Sequence, residues 1–199
     1  MTIWYTSDHH FGHENIIRLA KRPFSSLDEM HQVMVNRWNA VVKPDDIVWH
    51  LGDFTYKDKA NAGYHILSKL NGKKQLIIGN HESNQILLHR SWETVNQYAE
   101  IQDGKTSVIL FHYPIRSWNR MGRGSVHLYG HTHGNSAPFG KSYDVGVDVW
   151  NFSPVTLDEI ITISEYKRSQ QLAILGEGHS DALHGRVANL VGHGSVFSR

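Results

Sequence analysis

The sequence predicts an α/β fold in which mixed β-sheet layers are flanked by helices. Two observations carry this expectation. Through the first half of the chain, short apolar runs alternate with segments of helical periodicity, the pattern of parallel strands joined by helical crossovers. The later apolar runs follow one another across shorter links, which favours antiparallel pairing. Composition permits such a fold: 199 residues with a 40% hydrophobic share suit one α/β domain with its own core.

Ile3 to Thr6 is the first expected strand, followed by the polar loop Ser7-Asp8-His9-His10-Phe11-Gly12-His13. Glu14 to Lys21 reads as a helical turn that Pro23 ends. Ser26 with Glu29 forms a capping box, and the helix it opens carries Met30, Val33, Met34, Trp38 and Val41 on one face. Pro44 marks its far side. Ile47 to Leu51 is the second strand, closed by Gly52-Asp53, and Lys59 to Leu70 reads as a helix with Gly72 as its stop. Leu76 to Ile78 is the third strand and Gln85 to His89 a short helix. Ser107 to Phe111, Val126 to Tyr129 and Tyr143 to Val147 are the remaining strands. Ser153-Pro154 then opens a helix over Val155 to Ser164, where proline suits the first helical position. From about Gly176 onward glycines are scattered among histidines and polar residues. The folded domain is therefore expected to span 1–168, with 169–199 as a disordered or appended tail.

Charge and composition remove several classes of function. A net charge of +1 argues against a strong nucleic-acid footprint, which needs a basic domain with clustered Lys and Arg. The chain has no apolar run long enough to span a membrane, and its start enters a strand directly, without the profile of a secretory signal. A cytoplasmic location is the default expectation. With no Cys, thiolate metal sites and disulfides are excluded. The 15 His residues suit metal binding through nitrogen and oxygen instead.

Five polar clusters sit just after five expected strands: Asp8-His9-His10, Gly52-Asp53, Gly79-Asn80-His81-Glu82, His112, and Gly130-His131-Thr132-His133. Strand ends at one edge of an α/β sheet form a crevice, so clusters distant in sequence can meet there. Carboxylate, imidazole and amide without sulfur suit Mn, Fe, Zn, Co or Ni. A two-metal site needs a shared ligand, and Asp53 is the lone acid at its strand end. Asp8 and His10, spaced i, i+2, would face one side of an extended segment and leave His9 pointing away. His131 and His133 share that spacing, but a turn can send them to different ions. The Asn80 amide oxygen can bind a hard ion, and His81 can donate a proton to a substrate held there. His13 and Arg116 are candidates for the substrate side, with Arg22 a weaker one; His9 and His50 read as structural.

The ordered set Asp-x-His, Gly-Asp, Gly-Asn-His-Glu, His, Gly-His-x-His resembles the calcineurin-like metallophosphoesterase superfamily, over about residues 1–165. The detail of Asp8 to Ile17 is similar to a compact bacterial and phage branch. The resemblance implies a four-layer sandwich and a pair of divalent ions, Mn first, with Fe, Zn, Co or Ni as alternatives. It implies that Asp8, His10, Asp53 and His133 hold the first ion, and Asp53, Asn80, His112 and His131 the second. His81 would act as general acid, while a hydroxide bridging the ions attacks phosphorus. The implied substrate is a small phosphorylated or nucleotide-like ester, and the short loops favour a phosphodiester. Two other functions compete. One is a catalytically silent metal-binding scaffold of the same fold. The other is a DHH-type phosphoesterase, suggested by Asp8-His9-His10 but lacking the acidic motif that should precede the triplet.

Overall fold

The computed structural model describes residues 1–56, 62–166 and 169–170. The chain divides into two units, 1–160 and 161–199. In the second unit, 161–166 and 169–170 are helical. The expected tail lies outside the described residues apart from 169–170, as does the expected helix start at Lys59. No helix among the described residues is long and apolar enough to cross a membrane.

Unit 1 contains two four-stranded sheets. The first is parallel throughout, in the order β1 (Ile3–Thr6), β2 (Ile47–His50), β3 (Lys73–Ile77) and β4 (Trp92–Asn96). The helices α1 (Glu14–Leu19), α2 (Leu27–Val41), α3 (Ala62–Leu67) and α4 (Asn84–Leu87) lie in the connections between these strands. The second sheet runs β5 (Tyr98–Asp103), β6 (Thr106–Phe111), β7 (Val126–Tyr129) and β8 (Ser142–Asp144). The α/β class with sheets flanked by helices is therefore the observed one.

Local chemistry explains the elements that position the site. Ser26 Oγ accepts the Glu29 N–H at 3.1 Å and starts α2. The return half of the box is shifted by one residue: the Glu29 carboxylate takes the N–H of Ser25 at 2.7 Å rather than that of Ser26. Met30, Met34 and Trp38, spaced by four, bury one stripe of α2 in a cluster with Val48, Leu76 and Phe54. That burial seats the first sheet, and its parallel strands all deliver their C-terminal ends to one edge.

The antiparallel pairing expected among the later strands fails for the strands it concerned. The one antiparallel strand pair among the described residues joins β6 to the unexpected strand β5 through the two-residue turn Gly104-Lys105. β6 pairs with β7, and β7 with β8, in parallel. The links that permit this, 112–125 and 130–141, are long enough for crossovers despite containing little regular structure. As a result β6 and β7 end on the same edge as each other, which brings His112 beside Gly130; the Gly130 N–H donates to the His112 carbonyl at 2.9 Å. The two sheets join where Ser7 bridges Gly146 in parallel and the Val147 N–H donates to the Ser7 carbonyl at 3.1 Å.

Candidate metal centre

All five clusters converge at this joint. Two groups of ligand atoms form among the described residues, Asp8 with His10 and His133, and Asp53 with His112 and His131; within each, the atoms lie within 4.8 Å of one another. Asp53 Oδ2 links the groups, 3.6 Å from His10 Nε2 and 3.5 Å from His112 Nε2. Asn80 belongs with the second group, its Oδ1 2.9 Å from His131 Nδ1 and 3.0 Å from His112 Nε2.

The backbone that presents these side chains is unusual. Asp8, His10, Asp53, His131 and His133 all have positive φ, between 48° and 69°. Non-glycine residues rarely adopt this left-handed conformation, and clusters of it mark functional sites. Asp8 and His10 do face one side, but the reason is not the extended segment expected from their spacing. Each turns separately, held by β-like pairing of the Asp8 N–H with Gly52 O at 2.9 Å and the His10 N–H with Asp53 O at 3.0 Å. Two glycines allow the close approach of the loops. A Cβ on Gly79 would overlap Asp53 Oδ1, and one on Gly130 would overlap Ser7 Oγ and lie 2.5 Å from Asp8 Oδ2.

Most of the candidate ligands are oriented by a partner. Asp8 accepts the Ser7 hydroxyl at 2.5 Å and the His131 N–H at 3.0 Å. Asp53 Oδ1 accepts the His81 N–H at 3.0 Å. His112 Nδ1 faces the Leu51 carbonyl at 2.7 Å, and His133 Nδ1 faces Asp148 Oδ2 at 2.7 Å, which leaves each Nε2 directed elsewhere. His10 differs: it is buried, and neither ring nitrogen has a hydrogen-bond partner. Unpartnered buried nitrogens are costly unless a ligand satisfies them.

Electrostatics agrees. Burial raises the Asp8 carboxyl to about 8, against the pull of His133 and the Ser7 hydrogen bond. Burial drives His10 and His112 below the usual imidazole range. His133 shifts the other way: burial lowers it, but the hydrogen bond to Asp148 and the charge of Asp8 outweigh burial and raise it. A pocket that resists an uncompensated anion at Asp8 and keeps His10 and His112 neutral is one that a cation completes. The donor set of carboxylate, imidazole and amide fits a first-row divalent ion.

The remaining predicted residues are placed as follows. His81 Nε2 stands 4.0 Å from Asp53 Oδ2, with its ring 5.4 Å from that of His10. His13 reaches the edge of the site, stacked on Tyr56 at 3.9 Å, and Tyr56 meets the His81 ring edge-on at 4.8 Å. Arg116 lies over the Phe139 ring at 4.9 Å. His9 points into the core and pairs with His50 at 2.9 Å, so Asp8-His9-His10 is not a continuous run of ligands. Arg22 is not a surface group for phosphate but a buried partner of Asp148.

Three acids had no role in the sequence reading. Glu82 accepts the N–H groups of Phe54 at 2.9 Å and Gly79 at 2.8 Å, tying two ligand loops together. Burial, then the charge of Asp53, raises its carboxyl to about 7. Asp144 accepts the Thr132 hydroxyl at 2.7 Å and the Gly134 N–H at 2.9 Å, which shapes the turn between His131 and His133. Asp148 holds His133. The available signal was Gly146 between two acids at a strand end.

The chain is 34% identical to the uncharacterised protein MJ1445 of Methanocaldococcus jannaschii over 171 residues, 82% of this chain and 91% of that one. The chain belongs to that protein's family. The chain is also 24% identical to the Gene 66 protein of Mycobacterium phage L5, over 84% of this chain and 96% of the phage protein. The fold is that of a protein of unknown function, AQ665 from Aquifex aeolicus, with a TM-score of 0.65 and 24% identity over 81% of this chain and 98% of that one. No family model matches the sequence.

Proposed function

We propose that the protein is a dinuclear metal-dependent phosphoesterase acting on a small phosphate ester, with a phosphodiester preferred. The supporting observation is the position of Asp53 Oδ2, one carboxylate oxygen within 3.6 Å of an imidazole from each ligand group. Asp8, His10, His133 and Asp53 would hold one divalent ion. Asp53, Asn80, His112 and His131 would hold the other. Mn is the first candidate, with Fe, Zn, Co or Ni as alternatives for the same donors. When bound, such ions polarise phosphoryl oxygens and lower the pKa of water so that it serves as nucleophile near neutral pH.

The chain's own residues supply the rest. Asn80 and His131 are exposed, so the site opens to solvent on their side and substrate enters there. His81 is partly exposed and its backbone is pinned to Asp53. Its imidazole hands a proton to the leaving oxygen, which spares that oxygen from departing as an alkoxide. His13 and Tyr56 form the wall on the His81 side. Phosphoryl transfer depends mainly on positioning and charge, and a pocket fixed by short backbone hydrogen bonds provides both.

The test is turnover of bis-p-nitrophenyl phosphate and p-nitrophenyl phosphate by Mn-loaded protein, beside the His81→Ala variant. The expected result is metal-dependent hydrolysis in the wild type and a loss of roughly 10²–10⁴-fold in His81→Ala with metal retained. A wild type that binds two ions yet hydrolyses neither ester under any divalent metal would leave the silent scaffold as the better description.

A further inference from the structure

We infer that Arg22 and Asp148 are positioning residues for the first ligand group, a buried clamp that sets how tightly Asp8, His10 and His133 hold their ion. This rests on the metal-binding reading above, but it concerns residues that touch neither ion nor substrate.

The Arg22 side chain is fully buried, and every donor on it is spent. Nε donates to Asp148 Oδ1 at 2.8 Å, and Nη2 to Asp148 Oδ2 at 2.9 Å, a two-pronged pair. Nη2 also donates to the carbonyl of Asp8 at 2.7 Å. Nη1 donates to the carbonyl of His9 at 2.9 Å and to Met30 Sδ at 3.4 Å. A guanidinium has five N–H bonds, and these contacts use all of them.

Two of those contacts fall on the peptide groups between Asp8 and His10, the stretch where both ligands are held at positive φ, 59° and 54°. The same Asp148 oxygen that receives Nη2 also faces His133 Nδ1 at 2.7 Å. One guanidinium therefore couples the strained backbone carrying two ligands to the carboxylate orienting the third. With Asp148 accepting from Nδ1–H, the His133 lone pair sits on Nε2, on the side of the ligand group.

The second ligand group is supported differently. His112 Nδ1 faces the backbone carbonyl of Leu51, and His131 Nδ1 faces the Asn80 amide. Breaking the clamp should consequently weaken one ion and spare the other. Lysine cannot replace Arg22, because a point charge on a flexible stem cannot serve a carboxylate and two diverging carbonyls together.

The experiment measures Mn stoichiometry and affinity by equilibrium dialysis for the wild type, Asp148→Asn, Arg22→Gln and Arg22→Lys, with near-ultraviolet circular dichroism to report folding. The expected result is two ions per wild-type chain. One of the two should bind about 10–100-fold more weakly in each variant, Arg22→Lys included, while the other is unchanged. Wild-type affinity for both ions in Asp148→Asn and Arg22→Gln would overturn the clamp and leave the metal reading intact. A wild type that takes up no ion would overturn both. Nitrogen NMR of His133 in the metal-free wild type, at a pH where the ring is neutral, needs no variant: the Nδ1–H tautomer is expected, and the Nε2–H tautomer would overturn the clamp even if the variants fail to fold.

Discussion

Asp53 accepts the His81 backbone N–H on Oδ1 at 3.0 Å, which leaves Oδ2 turned toward the imidazoles of His10 and His112. One carboxylate thus places the proposed acid with one oxygen and links the two ligand groups with the other. Asp53→Asn keeps the shape and can keep the hydrogen bond to His81, but it removes the negative charge at the shared position. The expected outcome is a folded protein that loses at least one ion and most of its turnover. Metal analysis of the dialysed protein checks this, and an Asp53→Asn variant that still holds two ions would remove Asp53 from the shared position.

Gly79 is a steric requirement rather than a flexible joint. A Cβ there would overlap Asp53 Oδ1 and stand 2.5 Å from the Asp53 backbone nitrogen, where nothing can yield without moving a ligand. Gly79→Ala should cost about 1–3 kcal/mol, the range for overpacking a close contact. Gly122→Ala is the control, because a Cβ there meets nothing within 4 Å. It should stay within about 0.5 kcal/mol of the wild type. Urea midpoints of the two variants decide, and equal stability would mean that the loops can separate freely.

In its ionised form Glu82 offers one oxygen to each of two converging donors, the N–H groups of Phe54 and Gly79. Glu82→Gln puts an amide NH2 against one of those N–H groups, so one donor loses its partner inside the fold. A stability loss of about 1–3 kcal/mol is expected from a single buried unsatisfied group. Metal affinity should fall with it, since the two loops that Glu82 joins carry Asp53 and Asn80. Thermal unfolding in the presence and absence of Mn separates the two effects; no change in either would make Glu82 a bystander.

The legible part of this molecule was the part in which side-chain type carries the information. Apolar runs closed by Asp, Asn and His marked the side chains that the fold brings together, and their order carried the resemblance to the metallophosphoesterases. Backbone conformation was not legible: nothing in Asp8-His9-His10 announces two left-handed residues, and extended geometry reached the right face for the wrong reason. β4 and β5 escaped notice because Trp92–Asn96 and Tyr98–Asp103 are largely exposed and polar, so neither has the apolar run of a buried strand. Arg22 and Asp148 lie 126 residues apart, and only the folded chain reveals the pair. A basic residue before a proline looks like surface until a carboxylate is seen to face it.

The buried, unpartnered nitrogens of His10 make metal loading a stability measurement as well as a catalytic one. A ligand that binds only the native state stabilises it by about 2.7 kcal/mol when present at a hundred times its dissociation constant. Binding there must also displace the proton that burial holds on Asp8, so the gain should grow as pH rises toward 8. Adding Mn to chelator-treated protein should therefore raise the melting temperature by several degrees, with the larger share traced to the first ligand group. His10→Ala should lose most of that rise. In the absence of metal it gives up no hydrogen bond but does lose the packing of a buried ring against His13, His81 and His133, so the metal-induced rise is read against each variant's own metal-free melting temperature. If Mn left the melting temperature unchanged, or if His10→Ala responded to it as fully as the wild type, the pocket would be a set of polar core residues and the ligand role of His10 would fall.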